Sequence, residues 1–164
     1  MPEKETLERA ERDKHEGKAP STQAGAFIRE EMHHIREGKH GASSPQQAIA
    51  IGLSKARRAG VKLGPPKRNR SSAKVRKQPE RDLAKGRSRG RRTSRTRSRA
   101  TTNALRRQPR NSASRSMLSR QARSAAGRRG RASRHNAAIK TVRTKGRSGR
   151  RRAAQKAART RANR

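Results

Sequence analysis

The chain contains no cysteine, tryptophan or tyrosine, and its one phenylalanine is Phe27. Without cysteine there is no disulfide framework, no thiolate metal site and no thiol nucleophile. With aromatics nearly absent and hydrophobic residues at 26% of the chain, much of that alanine, one large core is excluded. No apolar run approaches the ~20 residues of a membrane span. The opening Met1-Pro2-Glu3-Lys4-Glu5 is charged and leads into no apolar segment of the kind a secretory signal requires. A cytoplasmic protein is expected. Acidic residues are scarce as well: 11 Asp and Glu face 48 Lys and Arg over 164 residues, a net charge of +37. Self-repulsion on that scale opposes compaction unless a dense polyanion neutralises it.

The excess charge is unevenly placed. Residues 1–40 hold nine acids and eight bases, residues 41–63 four bases and no acid, and residues 64–164 hold 36 bases against Glu80 and Asp82. Three regions follow: a charged N-terminal helix or linker over 1–20, a helical hairpin over 21–63, and a basic tail over 64–164. In the first, Thr6 to Glu16 can form a solvated helix supported by Glu5–Arg9 and Glu8–Arg12 pairs, which Gly17 and Pro20 end. In the second, Ala24, Phe27, Ile28, Met32 and Ile35 recur at spacings of three and four. They predict a helix from about Gln23 to Glu37, capped by Ser21 or Thr22 and stopped by Gly38. A second helix is predicted from Ser44, with Pro45 in its first turn and Gln47 three residues after the cap. It carries Ile49, Leu53 and Ala56 on one face and ends at Gly60.

The expected fold class is therefore small all-α, a helix-turn-helix-like hairpin, followed by a long intrinsically disordered tail. Phe27, Ile28, Met32, Ile35, Ile49, Ile51, Leu53, Val61 and Leu63 are few apolar side chains to hold a hairpin. Self-association through Phe27, Ile28, Met32, Ile35, Ile49 and Leu53, or binding of a ligand, is expected to firm it. Past Gly64-Pro65-Pro66 the composition is Arg, Ser, Ala, Gly and Thr, interrupted by Pro79 and Pro109 and without apolar periodicity, which predicts disorder with transient helix.

Arginine clusters are the strongest chemical signal. A guanidinium offers a planar fork of donors to phosphate and keeps its charge. Candidate nucleic-acid contacts are Lys55, Arg57, Arg58 and Lys62 at the end of the second helix, then Lys67, Arg68, Arg70, Arg87, Arg89, Arg91, Arg92, Arg95, Arg97 and Arg99. Arg128, Arg129, Arg131, Arg150, Arg151 and Arg152 complete the set. The tail has no aromatic to stack unpaired bases, so duplex or structured nucleic acid is favoured over single strands, and no apolar face to insert into a membrane. His33, His34 and His40 lie near Glu30, Glu31 and Glu37, and Glu31 with His34 has the i, i+3 spacing of di-iron bundles. Without the four helices such a site needs, these residues read as surface polar groups. No metal, cofactor or catalytic residue is expected.

The stretch Phe27-Ile28-Arg29-Glu30-Glu31-Met32-His33-His34-Ile35-Arg36-Glu37-Gly38-Lys39-His40-Gly41, followed by Ser44-Pro45-Gln46-Gln47-Ala48-Ile49-Ala50-Ile51-Gly52-Leu53-Ser54-Lys55-Ala56-Arg57-Arg58-Ala59-Gly60, resembles, over roughly residues 21–66, a family of small basic bacterial proteins of unknown function. Some members are catalogued as plasmid stabilisation or DNA-binding proteins, and the tail is similar in style to histone-like basic tails. With the arginine-rich tail, which offers many phosphate contacts and no base code, the expected function is sequence-nonspecific DNA binding in a nucleoid-associated or plasmid-maintenance role. Structured or ribosomal RNA as the ligand, and an antitoxin-like role in which the hairpin binds a protein, are the alternatives.

Overall fold

Every regular element among the described residues is helical. The computed structural model describes the chain except Met1, residues 67–71 and 89–93, Arg164 and the side chain of Lys145. In order, the elements are α1 (Lys4–His15), α2 (Pro20–Arg36), α3 (Pro45–Arg58), α4 (Ala73–Arg87), α5 (Arg95–Arg106), a 3₁₀ turn (Asn111–Ala113), α6 (Arg115–Arg128) and α7 (Gly130–Ala162). They fall into two compact units, Met1–Ser119 and Arg120–Arg164.

Local chemistry sets the helix ends. Gly17, Gly38 and Gly60 each take positive φ just past α1, α2 and α3. In each case the next residue's N–H reaches back to the helix (Lys18 to Asp13 O, Lys39 to His34 O, Val61 to Ala56 O), the paired bonding of a Schellman cap. Ser44 caps α3 as expected, its hydroxyl accepting from Gln47 N at 3.2 Å. The Gln47 side chain returns to Ser43 N at 2.7 Å. Helix α2 departs from expectation at its start: Pro20 occupies its first turn, Ala19 stands at the cap, and no side chain bonds there. Pro20 opens α2 because a proline at the first position surrenders an N–H that has no intrahelical partner.

Two small apolar clusters hold the first unit. Ala10, Ala24, Phe27, Ala56 and Val61 form one, flanked by Leu53 and Leu63. Met32, Ile35, Ala42, Ala48 and Ala113 form the other, flanked by Ile28, Ile49 and Leu118. Helices α2 and α3 cross closely at Gly52, where a Cβ would stand 2.8 Å from Ile28 Cα.

Other parts of the same chain cover the hairpin's apolar side chains. Phe27 and Ile35 are fully buried and Met32 nearly so, because α1, α4 and the 3₁₀ turn supply the surfaces that residues 21–63 lack. Helix α1 is correspondingly more than a solvated helix, burying Thr6 and Ala10; Lys4 pairs with Glu8 along it at 3.8 Å, and Asp13 near its end pairs with Lys18 at 2.6 Å. Gly41 N donates to Leu105 O at 2.9 Å and Ala42 N to Pro109 O at 3.1 Å, tying the α2–α3 loop to residues far along the chain.

The structure also places helices where the composition predicts a disordered tail. Pro79, expected as an interruption, lies inside α4. Alanine, arginine and lysine are among the best helix formers, and serines at the junctions act as caps: Ser72 Oγ accepts from Val75 N and Ser114 Oγ from Met117 N. In the second unit α7 is broken at Gly146 (φ 59°, ψ −175°). Apart from the partly covered Gly149, its described side chains are exposed.

Candidate functional site

The basic surface is the first candidate. Arg87, Arg95, Arg97, Arg99, Arg128, Arg131, Arg150, Arg151 and Arg152 are all exposed on helices, and Arg129 is exposed at the turn between α6 and α7. Among them Arg128 Nη2 donates to Ser124 Oγ at 2.9 Å and Arg150 Nε to Gly146 O at 3.2 Å. Lys67, Arg68, Arg70, Arg89, Arg91 and Arg92 lie outside the described residues. Past Gly146, Arg147, Arg150, Arg151 and Arg161 project to one side of the helix and Arg152, Lys156 and Arg159 to the opposite side, at about 100° per residue. A rod charged all round suits phosphates on several strands or around a bend, and gives no single face from which to read bases.

The cations grouped at the end of α3 do not form one patch. Lys62 is exposed and Arg57 partly covered. Arg58 Nη2 reaches Asp82 Oδ1 of α4 at 3.4 Å, and the Asp82 side chain is fully buried. Lys55 turns inward: its ammonium lies 2.7 Å from Glu31 Oε2 and 3.7 Å from Glu30 Oε1. The Lys55 ammonium thus has its charge matched by two buried carboxylates within the fold.

Around it lies a polar cluster that the residue types alone suggested would sit on the surface. Glu31 is fully buried and Glu30 is 6% exposed. His40 Nε2 stands 3.2 Å from Glu31 Oε1 and His34 Nε2 3.9 Å from Glu30 Oε1. From the N-terminal segment, Glu3 Oε1 meets His34 Nε2 at 2.8 Å and Lys39 Nζ at 3.4 Å. The hydrogen bond from His34, aided by Lys39, holds the Glu3 carboxyl below its ordinary range. His33 behaves as expected of a surface residue, exposed and paired with Glu37 at 3.1 Å. The signal for this burial is present in the sequence: Gln23, Phe27, Glu31 and Ile35 follow one another at i+4, so Glu31 stands on the apolar stripe of α2.

Residues 18–68 match the model of a family of unknown function (DUF6496). That stretch contains α2, α3 and both acidic residues of the buried cluster, and the family's description attaches no activity or partner to it. No curated protein and no solved structure matches the chain.

Proposed function

We propose that this chain binds nucleic acid, with duplex DNA as the principal ligand, by neutralising phosphates without reading base sequence. One observation carries the reading: after Asp82 there is no acidic residue, and 29 lysines and arginines follow over residues 83–164. An uncompensated density of that kind serves no fold and suits a dense polyanion. Exposure of the described arginines on α5, α6 and α7 supports it, and so does their all-round placement on α7. The apolar clusters of the first unit act as the scaffold, and the role that follows is histone-like, on the nucleoid or in plasmid maintenance. The reading assigns no catalysis.

Its test is binding to unrelated duplexes over a range of salt. With ~10 phosphates engaged, log K should fall against log salt with a slope of about −9. Truncation belongs after Ser119, where the first unit ends, because a cut after Leu63 would strip α4 and the 3₁₀ turn from α2 and α3. Removing residues 120–164 takes away 17 of the bases and should flatten the slope markedly. A salt-independent affinity, or one unchanged by the truncation, overturns the reading; stronger binding to structured RNA in direct competition transfers it to RNA.

A further inference from the structure

We propose that Glu31, His34 and His40 form a binding site for a divalent transition-metal ion of the zinc class. One ligating atom from each lies within 4.8 Å of the other two. Bonds of ~2.0–2.1 Å around a tetrahedral ion place ligand atoms roughly 3.3 Å apart. The His40–Glu31 pair already stands at 3.2 Å, and the widest pair needs to close by only about 1.5 Å.

Three observations single out this cluster from an ordinary charge network. The first is the orientation of His40. Its Nδ1 lies 3.1 Å from Gly41 O, and a carbonyl only accepts, so Nδ1 carries the proton. Nε2, on the opposite side of the ring, faces Glu31 Oε1 at 3.2 Å, so one ion could take both atoms as ligands. An imidazole whose outer nitrogen donates to a backbone carbonyl while the inner one faces the site is the usual outer-shell support of a metal-bound histidine.

The second is the division of labour within Glu31. Its Oε2 is matched by Lys55 at 2.7 Å, whereas Oε1 faces His40. Neither oxygen makes a conventional hydrogen bond although the side chain is fully buried. Oε1 is thus positioned as a one-oxygen ligand. The third is charge. Glu3, Glu30 and Glu31 converge here, and the fixed cations are Lys55 and Lys39, the second of which also serves Glu37 at 3.0 Å. A divalent ion would add positive charge where these three carboxylates meet. Two imidazoles with one carboxylate suit Zn²⁺ and its neighbours; Ca²⁺ and Mg²⁺ favour all-oxygen shells. Glu3, whose Oε1 is 2.8 Å from His34 Nε2, is placed to complete the shell and would pin the N-terminal segment to α2.

The experiment uses the full chain, freed of nucleic acid and stripped of metal, and titrates it with Zn²⁺ against a chromophoric chelator and with Co²⁺ alone. One equivalent of Zn²⁺ should bind and raise the melting temperature, and Co²⁺ should give the intense visible absorption of a four-coordinate ion. His34→Ala and His40→Ala should each weaken Zn²⁺ binding by more than about tenfold, since loss even of an outer-shell partner costs that much, while His33→Ala leaves it unchanged. Should either variant fail to fold, the cobalt-loaded wild type decides, because two imidazole rings should show hyperfine-shifted proton resonances. No uptake, an octahedral cobalt spectrum, fewer than two shifted rings, or uptake that survives in folded His34→Ala and His40→Ala overturns the proposal.

Discussion

Replacing Lys55 by methionine tests whether the ion pair with Glu31 holds the fold together. The substitution keeps the aliphatic stem and removes the ammonium 2.7 Å from Glu31 Oε2. At that distance the gross attraction is on the order of 6 kcal/mol for an effective dielectric constant of ~20, most of it offset by desolvation. Stripping one partner from a buried pair costs about 3–5 kcal/mol, because the other charge stays buried and uncompensated. Lys55 is 23% exposed, and His40 still stands 3.2 Å from the other Glu31 oxygen, so the lower end applies, about 3 kcal/mol. For a unit of this size that corresponds to a melting temperature lower by roughly 10 °C. Scanning calorimetry in the presence of a chelator is the appropriate assay, since α7 buries almost nothing and adds little cooperative heat. Combining Lys55→Met with Glu31→Leu should recover much of the loss, because an apolar pair of similar volume needs no solvation. A cost under about 1 kcal/mol, or single effects that add within ~0.5 kcal/mol, would refute the argument.

Other consequences can be checked by the same melts. Gly52→Ala should destabilise by about 1–3 kcal/mol, as its Cβ would press on the Ile28 backbone, although alanine is intrinsically the better helix former by ~1 kcal/mol; a stabilised variant would show that α2 and α3 do not cross there. Ser44→Ala should cost about 1 kcal/mol through loss of the α3 cap, and no measurable change would remove that cap from the account. The hydrogen bond from Lys39, with the His33 charge, holds the Glu37 carboxyl below its ordinary value of 4.5. Its stabilising contribution is therefore present above pH 4.5 and is lost as pH falls through the lowered value. Glu37→Gln should accordingly flatten the acid limb of melting temperature against pH, and an unchanged limb would contradict the assignment. In the second unit, far-ultraviolet circular dichroism should show α7 gaining helix on addition of inorganic polyphosphate, since a helix with 12 bases and no acid repels itself until counter-charge arrives; helicity indifferent to polyphosphate would contradict this.

What could be read in advance and what could not have different physical causes. Helices α2 and α3 were legible because a period of three to four in Phe27, Ile28, Met32 and Ile35, the Ser44-Pro45 start, and Gly38 and Gly60 are all local signals. The extent of α4 to α7 was not, since burial periodicity is the signal that reveals most helices and these bury little; propensity and serine caps were the weaker clues that remained. The family match over residues 18–68 covers the legible part.

The sequence by itself determined where the charge lies, because charge is a property of residues: one long cationic arm after Asp82 and a nearly neutral start. It also determined the helix stops, because a Schellman cap needs only a glycine and its neighbours. Only the tertiary structure decided which charges are free and which are consumed. Lys55 and Arg57 stand two residues apart on α3, yet Lys55 is turned onto Glu30 and Glu31 while Arg57 is not. Glu3, His34 and His40 are brought to Glu31 from the N-terminal segment, α2 and the loop after it. Such meetings depend on how helices cross, and helix crossing is set by contacts such as Gly52 against Ile28, between residues 24 positions apart in the chain.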